Sequence, residues 1–354
     1  MTPAPPAGGT ASAPPRDSPR PAPSGGATPS LRILVAGAGA IGQWLGLKLL
    51  QTGQDVTLLA RAPHVAAIRA NGLRVAGLTD AHAHVQAVAD LGEVAGAFDC
   101  IALTCKAHQT AGLAALVAPR LRKDGVLLSL QNGLGNAEKL RRLLPRDRIA
   151  IGLTSHGVTV EKPGVLRHAG QGATLVGPFP GADEAAARTA LRVLTQAGLE
   201  PEWQESMRGS VWRKALVNAG INPVGAMHGA KNGEILKRSE LRRMCLGLVR
   251  EAEGLAKLAK VPLPPGDLQQ LAITTLERTA LNKCSMLQDV EAKRPTEVEQ
   301  LTGRLVRLGR SMRVAMPLNE AAYSRIKAIE GSYLDPGEPT QMAAEEMEWE
   351  GESF

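Results

Sequence analysis

LRILVAGAGAIGQWLGLKLLQTGQDVTLLAR, residues 31–61, places an apolar run, a glycine-rich turn, a helical pattern and a second apolar run in direct succession. Residues 31–36 read as a buried strand. Gly37, Gly39 and Gly42 follow in G-x-G-x-x-G spacing, and Leu45, Leu49 and Leu50 then recur at helical intervals until Gly53 stops the pattern. A strand at 55–60 completes the unit. The strand–turn–helix–strand context is what gives this motif its meaning: it predicts a dinucleotide-binding turn. Gly37 permits the tight turn, Gly39 lets the backbone approach a pyrophosphate, and Gly42 lets the helix sit close to the strand. The helix start, through Ala40, Ile41 and Gly42, offers its N–H groups and positive potential to phosphates. The second strand ends at Arg61, where an NAD-specific fold usually presents a carboxylate to the ribose 2′-hydroxyl. A guanidinium there can pair with a 2′-phosphate instead, which argues for NADP(H).

The alternation continues outward. Residues 99–109, DCIALTCKAHQ, read as a strand leading into Lys106, His108 and Gln109. Residues 125–136, GVLLSLQNGLGN, read as a strand leading into Asn132, Gly133 and Gly135. Ligands of a doubly wound sheet sit beyond the carboxyl ends of the strands, so Lys106 and Asn132 are placed to touch cofactor or substrate. Residues 149–177 alternate like antiparallel strands with glycine-bearing turns, predicting a β-meander that closes the sheet. Thr154, Ser155 and His156 fall on its first strand, where a hydroxyl can face the nicotinamide.

From about 205 the strand signals stop. Helical patterns cover 207–222, 233–260, 267–283 and 295–331, with proline and glycine breaks between them. The predicted fold class is therefore α/β: a Rossmann-type dinucleotide-binding domain over 31–204 and an all-helical domain over 205–331. Within the second part, VWRKALVNAGINP (211–223) is anomalous. On a helical projection Lys214, Asn218 and Asn222 share one arc of about 80°, and most of the remaining circumference is apolar. A helix apolar on nearly every side is buried, so a lysine and two carboxamides on it need a reason to be there. Further on, 282–303 offers Asn282, Ser285, Asp289 and Glu297. Ser285 and Asp289 lie one helical turn apart, while Pro295 and Glu297 resemble the first turn of a new helix.

Composition narrows the function. The net charge of +7 comes from 41 basic and 34 acidic residues with no dense basic run, and only 3% of residues are aromatic. That pattern favours attraction of small anions over nucleic-acid binding. No stretch of about 18 apolar residues is present, so no membrane span is expected. Cys100, Cys105, Cys245 and Cys284 show neither metal-ligand nor C-x-x-C spacing; they read as reduced core thiols of a cytoplasmic protein, with no metal site. Residues 1–30 are rich in Pro, Ala, Gly, Ser and Thr and read as a disordered arm without a targeting pattern. Residues 332–354 read as an acidic flexible tail.

Taken in order, GAGAIG, LLAR, CKAHQ, QNGLGN, WRKALVNAGINP, KNGE, SMLQD and RPTEVEQLTG resemble the ketopantoate reductase (2-dehydropantoate 2-reductase) family over roughly 31–331. The resemblance implies NADPH-dependent reduction of 2-dehydropantoate to (R)-pantoate in pantothenate and coenzyme A biosynthesis. By that resemblance Lys214 is the catalytic lysine and Glu297 its acidic partner. Ser285 binds the substrate carboxylate, and Asn218, Asn222 and Asn282 contact substrate. Arg61 and Lys106 hold the 2′-phosphate end of NADPH, and Asn132 lines the cofactor pocket. The chemistry is reasonable on its own terms. Hydride delivery to C2 of a 2-oxo acid builds negative charge on the carbonyl oxygen, which a lysine ammonium can stabilise and protonate. Glu297 can accept from the substrate hydroxyl and pair with Lys214. His108 and His156 depart from the pattern and leave room for a paralogue acting on another 2-oxo acid. A non-catalytic NADPH-binding sensor is a further alternative, opposed by the intact Lys214 and Glu297. The assembly is left open, with a homodimer among the options.

Overall fold

A computed structural model describes residues 30–334. The N-terminal arm, Ser30 apart, and the acidic tail beyond Leu334 lie outside the described residues. Strand β1 (Arg32–Ala36) is buried at four of its five positions, as an apolar run covered on both faces must be. It leads through the glycine turn into α1 (Ala40–Gln51) and then β2 (Asp55–Leu59), which pairs parallel with β1 in the register Ile33↔Val56. After α2 (Ala62–Asn71) come β3 (Leu73–Gly77), β4 (Ala81–Ala83) and β5 (Gln86–Val88). The chain then crosses to the other side of β1 as β6 (Phe98–Leu103), in the register Ile33↔Cys100. Next are α3 (Thr110–Val117), β7 (Leu121–Ser129), α4 (Asn136–Arg141), β8 (Ile149–Thr154), β9 (Gly157–Lys162), β10 (Val165–Gly170), β11 (Thr174–Pro178), α5 (Ala185–Gln196) and β12 (Pro201–Trp203).

The main sheet has eight strands in the order β12-β11-β8-β7-β6-β1-β2-β5. Its direction of winding reverses between β1 and β6, so the ligand crevice lies beyond their carboxyl ends. Those ends hold the glycine turn and the segment 104–109.

The predicted β-meander is only half right. β8 and β11 do pair antiparallel within the main sheet, but β9 and β10 leave it. They join β3 and β4 in a separate four-stranded sheet, order β4-β3-β10-β9, which packs on α1. Here β10 runs parallel to β3, a long-range pairing that no local alternation could signal. Thr154 ends β8, while Ser155 and His156 lie in the link to β9 rather than on the strand.

The helical part comprises α6 (Met207–His228), α7 (Asn232–Lys237), α8 (Ser239–Leu258), α9 (Leu268–Arg278), α10 (Ser285–Glu291), α11 (Arg304–Ser311) and α12 (Pro317–Gly331). No strand follows β12 among the described residues. α6 is its axis, packing against α8, α9, α10 and α12. A Cβ on Gly220 would lie 2.4 Å from Val249 Cγ2 and 2.8 Å from the Cys245 carbonyl, so α6 and α8 meet almost backbone to backbone. Two helical patterns divide differently from expectation. The 233–260 pattern breaks at Arg238, whose backbone is extended. Pro295 and Glu297 precede a helix rather than open one: the Thr296 amide and hydroxyl both donate to Glu330 Oε1, each at 2.7 Å, and anchor the segment outside the helix. The chain then enters α11 through a π-helical turn, Glu299–Gly303, a distortion often found beside functional sites. All four cysteines are free and buried, and burial pushes each thiol up, to about 12 for three of them and about 11 for Cys284.

Candidate active site

The glycine turn is built by contact. Gly37 has φ +75°, and a Cβ there would lie 2.4 Å from Cys105 Cβ. The loops after β1 and β6 therefore touch at the point where the winding reverses. A Cβ on Gly42 would lie 2.3 Å from Thr104 Oγ1, which seats α1 directly over this contact. Gly39 is different: the nearest atom to a Cβ there is 3.9 Å away, so its surface opens into the crevice. Helix α1 has no acidic residue in its first turn and no side chain capping its N-terminus. The amides beyond Gly39 therefore suit a pyrophosphate. Arg61 is exposed at the end of β2, as the N-cap residue of α2. Its charge, together with that of Arg294, reinforces the effect of burial in lowering the basicity of His64. These features fit a bound dinucleotide.

Asn132 is half-buried in the turn between β7 and α4. Its carbonyl accepts from Asn136 Nδ2 at 2.7 Å, and the neighbouring Gln131 Nε2 donates to the Cys105 carbonyl at 3.1 Å. The turn carrying Asn132 is thereby tied to the one after β6.

On α6, Lys214, Asn218 and Asn222 share one face, as the projection requires, and the apolar positions around them fill the helical core. Lys214 Nζ donates to the Thr154 carbonyl at 2.6 Å, across the junction between the two parts of the molecule. Burial pulls its ammonium down to about 8, against the opposing pull of the Glu297 carboxylate. This tuning, which sequence cannot reveal, brings the group into the range where general acids work near neutral pH.

Glu297 is buried and does not pair with Lys214. Its Oε1 accepts from the Ala107 amide at 3.0 Å, and its Oε2 lies 3.6 Å from Lys106 Nζ. Lys106 makes its stronger bond, 2.7 Å, to Asp289 Oδ2 on α10. Burial would lower the Lys106 ammonium, but the Glu297 and Asp289 carboxylates outweigh it and raise its basicity. Lys106 is thus engaged by two acids of the helical part, and holding a 2′-phosphate would require it to turn from them. Asp289 also accepts from Arg294 Nη2 at 3.1 Å, a partner that sequence reading passed over. The remaining signal for Arg294 was only its position five residues past an acid.

The other predicted residues are less tightly gathered. Asn282 is half-buried at the loop before α10, with its side-chain amide against the glycine pair Gly157 and Gly170. Ser285 is exposed in the first turn of α10. His108 is half-buried beside the Glu297 and Lys106 charges, its basicity lowered by burial, and its Nδ1 is buried without a hydrogen-bond partner. His156 packs on Trp44 of α1, with ring centroids 4.7 Å apart. Among the described residues no cluster of His, Cys, Asp and Glu is arranged to hold a metal ion, and no helix is long and apolar enough to cross a membrane.

Comparison with known proteins identifies the family and agrees with the fold. Residues 33–181 match the family described as Ketopantoate reductase PanE/ApbA, and residues 206–330 match its C-terminal counterpart. The chain is 35% identical over 300 residues to a 2-dehydropantoate 2-reductase of Pyrococcus horikoshii, covering 85% of this chain and 98% of that one. Among solved structures it is similar to D-mandelate dehydrogenase with NADH and anilino(oxo)acetate, at a TM-score of 0.80 and 29% identity, covering 85% and 99% of the two chains. It is also similar to a ketopantoate reductase of Ralstonia eutropha JMP134, at 0.77 and 28%, with the same coverage. With one match over the sheet part and another over the helical part, the chain belongs to the ketopantoate reductase family of oxidoreductases.

Proposed function

We propose that this chain reduces 2-dehydropantoate to (R)-pantoate with NADPH. In this reading residues 31–204 bind the cofactor, residues 205–331 supply the catalytic and substrate groups, and Lys214 is the general acid. One observation carries the proposal: the Lys214 ammonium, pulled down to about 8 by burial, is held at 2.6 Å by the Thr154 carbonyl at the end of a strand of the dinucleotide-fold sheet. NADPH supplies the hydride when bound. Lys214 stabilises the charge that grows on the substrate's carbonyl oxygen and gives it a proton. Ser285 and the amides of Asn218, Asn222 and Asn282 can hold a carboxylate without adding charge. Glu297 keeps an acceptor near the site for a substrate hydroxyl. Arg61, exposed at the end of β2, supports the choice of NADPH.

A second reading has specific support. D-mandelate dehydrogenase, which carries a 2-oxo acid analogue and NADH in its solved complex, shares the architecture at a TM-score of 0.80. This chain would then act on another 2-oxo acid. Steady-state kinetics over a panel of 2-oxo acids, with NADPH and NADH in parallel, separates the two. The first reading requires the highest kcat/KM for 2-dehydropantoate with NADPH; a clear preference for an aryl or unbranched 2-oxo acid establishes the second.

A further inference from the structure

The turn from the end of β8 to the start of β9, residues 154–157, touches the candidate site twice. The Thr154 carbonyl receives the Lys214 ammonium, and Gly157 lies against the side-chain amide of Asn282. Behind this segment runs a hydrogen-bond chain that none of the roles above uses. Trp44 Nε1 donates to Thr79 Oγ1 at 3.2 Å, Thr79 Oγ1 lies 2.8 Å from His168 Nδ1, and His168 Nε2 lies 3.1 Å from His156 Nδ1. His168 Nε2 also lies 3.1 Å from the Gly170 carbonyl. A carbonyl only accepts, so the His168 proton resides on Nε2. Nδ1 of His168 then accepts from the Thr79 hydroxyl, whose own lone pair takes the indole N–H. His156 Nδ1 is left as the terminal acceptor, with its proton on Nε2. With both imidazoles neutral, the single His168 Nε2–H is shared between the Gly170 carbonyl and His156 Nδ1.

Both histidines also pack on Trp44, with ring centroids at 4.7 and 5.0 Å, and Lys48 Nζ lies 5.9 Å from the same indole ring. Burial and nearby positive charge keep the pair neutral: His156 is pushed down to about 4 by burial, with His168 and Lys48 adding to it, and His168 is lowered mainly by burial. The chain begins on α1, the helix whose start forms the pyrophosphate cradle, and ends at the turn that holds the lysine.

We infer that His156 is a positioning residue of the reductase site. It anchors the 154–157 turn to Trp44, Thr79 and His168, and so fixes both the carbonyl that orients Lys214 and the surface that seats Asn282. The inference rests on Lys214 being the general acid of the proposed function.

The experiment compares His156→Phe with His156→Asn. Phenylalanine keeps a ring on Trp44 and removes the acceptor; asparagine restores an acceptor oxygen at the position of Nδ1. His156→Phe should lose about tenfold or more in kcat, with NADPH affinity changed by less than about twofold. An ammonium deprived of its acceptor loses protons more easily, so the alkaline limb of the kcat profile should move to lower pH. Glu297, the charge that acts on Lys214, stays in place in every variant. His156→Asn should recover most of the rate and the limb. Thr79→Val, one bond further back in the chain, should shift the limb in the same direction by less, and it carries the test if the Phe variant does not fold. Equal losses in both His156 variants with an unmoved alkaline limb, or wild-type kinetics in His156→Phe, would overturn the inference. Lys214→Ala is the control: if it retains activity, the catalytic reading itself fails, whatever the histidine variants do.

Discussion

Lys214 can protonate a substrate oxygen only while it is an ammonium, and burial has set its loss of the proton at about 8. In the reducing direction kcat/KM is therefore highest below that pH and falls as pH rises through it; the oxidising direction, which needs the free amine, changes the opposite way. A pH profile of both directions checks the sign. Lys214→Ala should lower kcat by roughly 10²–10⁴-fold, and near-normal turnover would remove Lys214 from the mechanism. Arg61 is exposed just beyond β2, at the start of α2. Arg61→Ala should weaken NADPH binding by about tenfold, the scale of one charge-assisted hydrogen bond, and leave NADH almost unaffected. Titration of both cofactors tests this directly, and an unchanged NADPH/NADH ratio would exclude a 2′-phosphate contact.

Element packing sets how precisely these side chains are aimed. Helix α1 rests on β1 and the loop after β6 through Gly42, where an added methyl would meet Thr104 Oγ1 at 2.3 Å and Val35 Cγ1 at 3.1 Å. Thr104 has little freedom to yield, being β-branched and hydrogen-bonded from Oγ1 to the Gly37 carbonyl at 3.2 Å. Gly42→Ala should cost about 1–3 kcal/mol by overpacking, and it should tilt the helix start enough to weaken NADPH binding. A lowered melting temperature together with a raised Kd is the expected pair of results; a normal Kd would mean that the cradle tolerates the shift. The glycine spacing of this element was legible because each glycine meets a local requirement of the turn. The fate of β9 and β10 was not. Alternation marks a strand without saying which sheet it joins, and β3, the partner of β10, lies about ninety residues earlier, as in Leu166↔Val75.

At the scale of the whole molecule, the two parts are bridged by charge. Asp289, almost fully buried on α10, binds Lys106 from the sheet part at 2.7 Å and Arg294 from its own part at 3.1 Å. Asp289→Asn should leave Lys106 with only the longer Glu297 contact. The expected outcome is a melting temperature lowered by a few degrees without cofactor and tighter NADPH binding, because Lys106 no longer has to leave a carboxylate to meet a phosphate. Thermal melts with and without NADPH measure both effects, and no change in either would show that the bridge carries nothing. The dinucleotide turn, the α/β-then-helical order and the polar stripe on α6 are legible along the chain, because each follows from contacts within a few residues. That Lys214 meets Thr154, that Glu297 serves Ala107 and Lys106 rather than Lys214, and that His156 packs on Trp44 emerge only on packing. Such pairings join residues as far apart as 190 positions, as between Ala107 and Glu297. Which carboxylate reaches which ammonium, and how dry the site becomes, is set when the two parts pack together, and periodicity along the chain carries no record of it.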